Sequence, residues 1–337
     1  MFRTPLLALL GTDAQTLDAT MGYMNWTVCC GALPAILNVV QSYMVRSEGS
    51  TLHASIGTMS GCLLNIVLDP IFILPWGLNM GAAGAGLATF LSNCVACLYF
   101  LVLARIKKGN TYVSMNPRLL RRLTGKQVRN ILGVGIPAAI QNLLNVLGST
   151  LLNNFTAPFG AAAIAAMGIS QKLYMIPMQV SLGFSQGIMP LVSYTYASGN
   201  RARMKQAIVF AMRIIVVSML VITVGYCLGA PAMIRAFMDS EEIIGYGSRF
   251  LRVMSLGFVF LCTDFLAVGV FQALGMGRNA LLFATCRKVV LEIPLLILLN
   301  HFYPLYGLPF AQLITKVVLS CMGIVMLRRI FQMEKPH

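Results

Sequence analysis

Long apolar stretches separated by short polar connections set the pattern of this chain. Nine such segments run near residues 20–45, 52–75, 81–104, 129–157, 161–195, 205–230, 244–275, 279–301 and 306–328. A transmembrane helix takes about 20 apolar residues at a rise of about 1.5 Å each, so every segment is long enough to cross a bilayer once. Lipid offers the backbone no hydrogen-bond partners, and a helix satisfies its own. The pattern predicts an all-α polytopic membrane protein with about nine spans.

Composition sharpens this reading. Of 337 residues, 58% are hydrophobic and only 10% are charged, against roughly a quarter charged in soluble domains. That excludes a soluble enzyme built on one aqueous core, and an intrinsically disordered tail. The net charge of +15, from 25 Lys and Arg against 10 Asp and Glu, would suit a nucleic-acid binder, but its placement does not. The basic residues gather in alternate connections: Arg46; then Arg105, Lys107, Lys108, Arg118, Arg121, Arg122, Lys126 and Arg129; then Arg201, Arg203 and Lys205; then Arg278; and finally Arg328, Arg329 and Lys335. The opposite connections, around Pro75–Met80, Ala157–Gly160 and His301–Tyr306, are almost uncharged, and the one near 231–243 is mixed. Basic connections stay in the cytoplasm, which predicts a cell-membrane protein with a cytoplasmic C-terminus and, for nine spans, an external start. The nine cysteines lie in apolar runs and read as small packing residues. Cys94 and Cys97 form a CxxC with no second pair or His partner, so no metal site is expected from them.

Residues 226 apart match in equivalent places: Gly31 with Gly257, Gly49 with Gly275, Ala54 with Ala280, Gly81 with Gly307, Ala85 with Ala311, Leu87 with Leu313 and Thr89 with Thr315. Such an offset covers six helices here and predicts two parallel halves, as in several transporter folds. Three helices that begin near Arg129 have no counterpart in this numbering. The expectation is that about 100 residues carrying three spans precede Met1 in the complete protein, which would return the N-terminus to the cytoplasm. The domains then read as 1–104 for the rest of an N-terminal lobe, 105–128 for a cytoplasmic basic linker, 129–330 for a C-terminal lobe and 331–337 for a cytoplasmic tail.

Ionisable groups inside a bilayer cost several kcal/mol and default to functional candidates. Asp264 sits about midway along its segment and could bind a cation, or could be a structural aspartate bonded to Thr263 or to a neighbouring helix. Its repeat mate, Asn38, is polar but cannot titrate. Asp69 precedes Pro70, which removes a backbone donor and kinks the helix; it is a second cation contact, or a helix-end residue held by Asn65. Lys288 and Glu292 are spaced to share one helix face and read as a structural ion pair beside Arg287. The partners of Lys172 and Lys316 stay open. Gln141, Asn145 and Ser149 form one polar stripe, with Asn142 and Asn153 nearby, that either lines a cavity or joins helices. Gln179, Ser185 and Gln186, with Met175, Met178 and Met189, would suit a pocket for varied lipophilic substrates, although Met also faces lipid. There is no P-loop, HExxH or nucleophile–base pair, so neither an ATPase nor an intramembrane enzyme is expected.

Several runs resemble one transporter family. Asn65-Ile-Val-Leu-Asp69-Pro-Ile-Phe-Ile73, followed by Gly81-Ala-Ala-Gly-Ala-Gly-Leu-Ala-Thr89, resembles the fifth and sixth helices of multidrug and toxic compound extrusion (MATE) transporters. Gly133-Val-Gly-Ile-Pro137 looks like the opening of their seventh helix, and Gly183-Phe-Ser-Gln-Gly187-Ile-Met-Pro190, with Tyr194 and Gly199-Asn200, like the end of their eighth. Phe271-Gln-Ala-Leu-Gly275 with Arg287 is similar to the tenth-to-eleventh helix region of the MepA-like branch. The resemblance implies a twelve-helix, two-lobe fold and export of lipophilic, often cationic drugs by antiport against H⁺ or Na⁺. It places Asp264 on the tenth-helix aspartate of the cation site in sodium-coupled relatives, which implies a possible Na⁺ there, and Asn145 where those relatives carry a glutamate. The first-helix acidic residue of some branches falls outside this numbering. The implied partners are the lipid bilayer and small cationic substrates, with no nucleic acid, no cofactor beyond the coupling ion, and a monomeric state. A lipid-linked saccharide flippase of related architecture is the alternative transporter, kept open by Lys172, Arg287 and Lys288. A non-transporting truncated remnant is the alternative of a different class.

Overall fold

The computed structural model describes residues 17–107, 111 and 123–332, and leaves aside the side chains of 149, 153 and 157. Lys108, Arg118, Arg121, Arg122, Lys335 and the side chains of Ser149 and Asn153 therefore lie outside the described residues. The chain divides into two units, Met1–Arg121 and Arg122–His337. The division falls inside the basic connection.

The N-terminal unit contains α1 (Leu17–Met24), which continues through a π-helical turn at Asn25–Cys30, then α2 (Ala32–Ser47), α3 (Thr51–Ile73) and α4 (Gly81–Ile106). The C-terminal unit contains α5 (Gly125–Thr156), α6 (Ala161–Ala197), α7 (Arg201–Arg235), α8 (Glu241–Leu256) and α9 (Phe258–Ala273). It continues with α10 (Gly277–Thr285), a π-helix at Cys286–Glu292, α11 (Ile293–Phe302) and α12 (Gly307–Gln332). No strand occurs among the described residues.

By length and composition five helices, α3, α4, α5, α7 and α12, can cross a membrane, and two bent pairs raise the number to seven among the described residues. The remaining two of the nine apolar stretches are helical as well. In α6, Gln171, Lys172, Gln179 and Gln186 dilute a 37-residue helix, while the π-helix interrupts the stretch from 277 to 302. The outer face of α7 presents Val217, Val221, Val224 and Leu228 at 56–78% exposure. Such an apolar stripe suits contact with hydrocarbon rather than water.

The 226-residue offset is visible in the backbone. The two bent pairs, 17–47 and 241–273, turn by 53° and 48°, and their breaks fall at Gly31 and Gly257. Both pairs end at a glycine in the left-handed region, Gly49 at φ 81° and Gly275 at φ 72°, where a Cβ would be strained. The next helices start at Thr51 and Gly277, and the following ones at Gly81 and Gly307. A Cβ on Gly31 would lie 2.6 Å from the Trp26 carbonyl oxygen, and one on Gly257 would lie 2.9 Å from Lys316 Cδ. Glycine at each break lets the chain turn where a larger residue would collide.

The C-terminal unit carries its core in two apolar clusters. One gathers Phe250, Phe258, Tyr226 and Ile234, with Tyr226 and Phe258 edge to face at 5.2 Å between ring centroids. The other joins Phe271, Phe283, Leu319 and Leu327. A smaller core of Val45, Ala54, Phe100 and Leu103 holds the N-terminal unit.

Candidate functional site

Helix α9 is apolar on nearly every side, and eleven of its sixteen residues are buried. Asp264 sits within this run with no exposed surface. A bare carboxylate there would be very costly, and a cation from the next segment offsets that cost. Arg287 donates from Nη1 to Asp264 Oδ2 at 2.7 Å, between side chains 8% and 0% exposed. The same guanidinium donates from Nη2 to Asn145 Oδ1 on α5 at 2.6 Å, so one planar group ties α9 and the π-helix to α5.

The π-helix explains how one short segment presents so much charge inward. Its i→i+5 bonding widens the turn, and residues five apart come close to one face. Arg287 and Glu292, five apart, are its two buried residues. Lys288, on the same segment, donates to Glu292 at 2.7 Å. A Cβ on Gly148 would lie 2.6 Å from Lys288 Nζ, so the missing side chain on α5 makes room for this lysine. Gln272 donates to Gln141 at 3.3 Å.

Lys316 on α12 completes the cluster. It is 7% exposed, and its Nζ lies 4.3 Å from the centroid of the Tyr174 ring, an attraction that a cation and a π-face supply without a counter-ion. Lys316 Nζ, Arg287 Nε and Asp264 Oδ1 are buried without a hydrogen-bond partner among the described residues.

Seven sequence candidates fall elsewhere. Asp69 is half-buried in the N-terminal unit and accepts from Asn65 at 3.3 Å. Asn38 is in the same unit and donates to Asn93 at 3.0 Å. On α6, Met175 is 54% exposed, Gln179 is exposed, and Met178 and Gln186 are half-buried. Lys172 is exposed too. Ser149 is outside the described side chains. Of the two structural partners offered for Asp264, Thr263 or a neighbouring helix, the structure gives the second, through Arg287; the Thr263 alternative is corrected, since Thr263 donates to the Val259 carbonyl at 3.3 Å, one turn back along its own helix. Sequence reading left the partner of Lys316 open and missed the Asp264–Arg287 bond. A buried carboxylate calls for a cation, but nothing in the sequence pattern says which of the bases within the spans supplies it.

The MatE family model matches residues 137–298. The multidrug export protein MepA of Staphylococcus aureus is 32% identical over 335 residues, spanning 97% of this chain and 71% of that protein. This chain belongs to the MATE family. MepA of Staphylococcus saprophyticus is similarly 32% identical, over 98% of this chain and 72% of its own. In fold, a mutant of the Vibrio cholerae MATE transporter VcmN superposes with a TM-score of 0.89 at 22% identity, covering 99% of this chain and 74% of VcmN. The twelve-helix, two-lobe MATE fold fits the order of elements seen here. Asn145, Tyr174, Asp264, Arg287, Lys288 and Glu292 all lie within the stretch matched by the family model, and Lys316 lies beyond it.

Proposed function

We propose that this MATE protein is a multidrug efflux transporter that exports lipophilic, often cationic compounds by antiport against H⁺ or Na⁺. The names of its MepA relatives support the cargo. One observation carries the coupling: a carboxylate with no exposed surface, held on one oxygen by Arg287 while its other oxygen has no partner among the described residues. Well-packed apolar residues often stabilise a fold as well as a buried ion pair does, so charges kept at this depth point to a role in moving charge. A cation taken up at this cluster adds positive charge to the unit and disfavours a cationic substrate. By reciprocity the substrate then disfavours the cation, and alternating access turns that competition into exchange. Asp69 is a second coupling candidate, in the N-terminal unit. The Met175, Met178, Gln179 and Gln186 face of α6 is the proposed substrate-contacting surface of the C-terminal unit, with Gln141, Asn145 and Ser149 as further polar candidates there; Asn38 is a separate polar candidate in the N-terminal unit. The basic connections at Arg201, Arg203, Lys205, Arg278 and Arg328 support a cytoplasmic C-terminus, and the proposed functional state is a monomer.

The test is gradient-driven ethidium efflux from cells producing the full-length protein. Asp264→Asn with Asp69→Asn is expected to abolish it. Efflux at the wild-type rate in the doubly substituted protein would overturn the reading.

A further inference from the structure

Charge counting inside the C-terminal unit distinguishes one member of the cluster. Three bases, Arg287, Lys288 and Lys316, share the interior with two acids, Asp264 and Glu292. Arg287 takes Asp264 and Lys288 takes Glu292, both at 2.7 Å. Among the described residues Lys316 has no carboxylate of its own; it faces the Tyr174 ring from α6 and feels Glu292, Lys288 and Arg287 from the π-helix and Asp264 from α9. With Lys316 as the neutral amine the cluster sums to zero, and with the ammonium it carries one positive charge. Adding a proton to Asp264 would strand the charge of Arg287, and adding one to Glu292 would strand that of Lys288. Only at Lys316 can the proton count change while both ion pairs stay whole. A Na⁺ ion placed at Asp264 would approach a carboxylate that the guanidinium already neutralises. On the Gly257 side the lysine stem is closely packed, since a Cβ there would lie 2.9 Å from Cδ.

Resting on the antiport reading above, we infer that the coupling ion is a proton and that Lys316 carries it. The Nζ lone pair takes the proton from hydronium, water is released, and the unit gains one positive charge. Discharge reverses the step when a cationic substrate binds. Asp264 and Glu292 are then positioning residues that hold the two other bases neutralised.

The experiment measures proton release, with a pH indicator in weak buffer, when tetraphenylphosphonium binds to the purified protein, alongside transport in proteoliposomes under H⁺ or Na⁺ gradients. Wild type is expected to release about one proton, and its apparent Kd to change by up to tenfold per pH unit, the limit for one linked proton. In Lys316→Met that dependence should fall below twofold and release should vanish. Lys316→Arg, which stays charged, should behave the same way and serves if the Met variant fails to fold, as judged by size exclusion. Proton release that persists in either folded variant overturns the assignment to Lys316. Transport by wild type on a Na⁺ gradient without proton release overturns this inference and leaves antiport standing. No gradient-driven transport by wild type under either ion overturns both.

Discussion

Removing the carboxylate of Asp264 while keeping its shape should strand a buried guanidinium. In Asp264→Asn the amide can still meet Arg287, but it supplies no charge at the 2.7 Å contact between side chains 0% and 8% exposed. At an effective dielectric of about 20 the lost attraction is roughly 6 kcal/mol. Measured losses on breaking buried pairs from one side run at about 3–5 kcal/mol, and the lower range is the better guide because structure and water relax. At about 2–4 °C per kcal/mol for a domain of this size, the melting temperature in detergent should fall by roughly 6 °C or more. The double substitution Asp264→Leu with Arg287→Met removes both charges and should recover most of that loss, giving a coupling energy of at least about 2 kcal/mol in a double-mutant cycle. A drop under about 1 kcal/mol in Asp264→Asn, or a double variant no more stable than the single, would refute the reasoning.

Two further stability predictions test packing outside the cluster. A Cβ on Gly269 would run into Ser185 Oγ, which donates to the Phe265 carbonyl at 2.8 Å; Gly269→Ala should cost about 1–3 kcal/mol, with part of it recovered by Ser185→Ala, as read from thermal melts. Asn200 caps α7 by accepting from the Arg203 amide at 3.1 Å, so Asn200→Ala should lower stability by about 1 kcal/mol without changing the ion that drives transport.

Much of the fold was legible because hydrophobic length and basic connections are one-dimensional signals. The 226-residue register survived into matching helix starts at Thr51 and Gly277 and at Gly81 and Gly307. The bends at Gly31 and Gly257 were not legible, although both glycines were flagged as a repeat pair, because a segment apolar on all sides gives no periodicity to break. Lys288 and Glu292 were readable as neighbours from their spacing within one segment. Asp264 and Arg287 were not, since their contact depends on how a π-helical turn rotates Arg287 toward α9, and no pattern of apolar positions encodes that rotation. Lys316 was harder still: its neighbour is the face of a tyrosine on α6, which carries no charge to look for.

The internal repeat supplies an argument about why these charges are kept. Shifting the five cluster positions by the repeat offset gives Asn38, Gly61, Cys62, Ile66 and Phe90 in the N-terminal unit, and none of them is ionisable under ordinary conditions except the thiol. The backbone there still bends by 53°, still ends the bent pair on a left-handed glycine, and still packs its helices. Where the C-terminal unit sets Lys316 over Tyr174, the N-terminal unit has Phe90 beside Trp26, with ring centroids 6.0 Å apart. Where the C-terminal unit has Arg287, the N-terminal one has Gly61, whose Cβ would lie 3.0 Å from the Ser92 carbonyl oxygen, so a close helix contact replaces an ion pair. The shared scaffold therefore forms without any of the five charges, and their joint presence in one half is not a requirement of the fold. Charges that a scaffold can do without, and that cost free energy to bury, are best explained as a single device for holding and releasing one unit of charge.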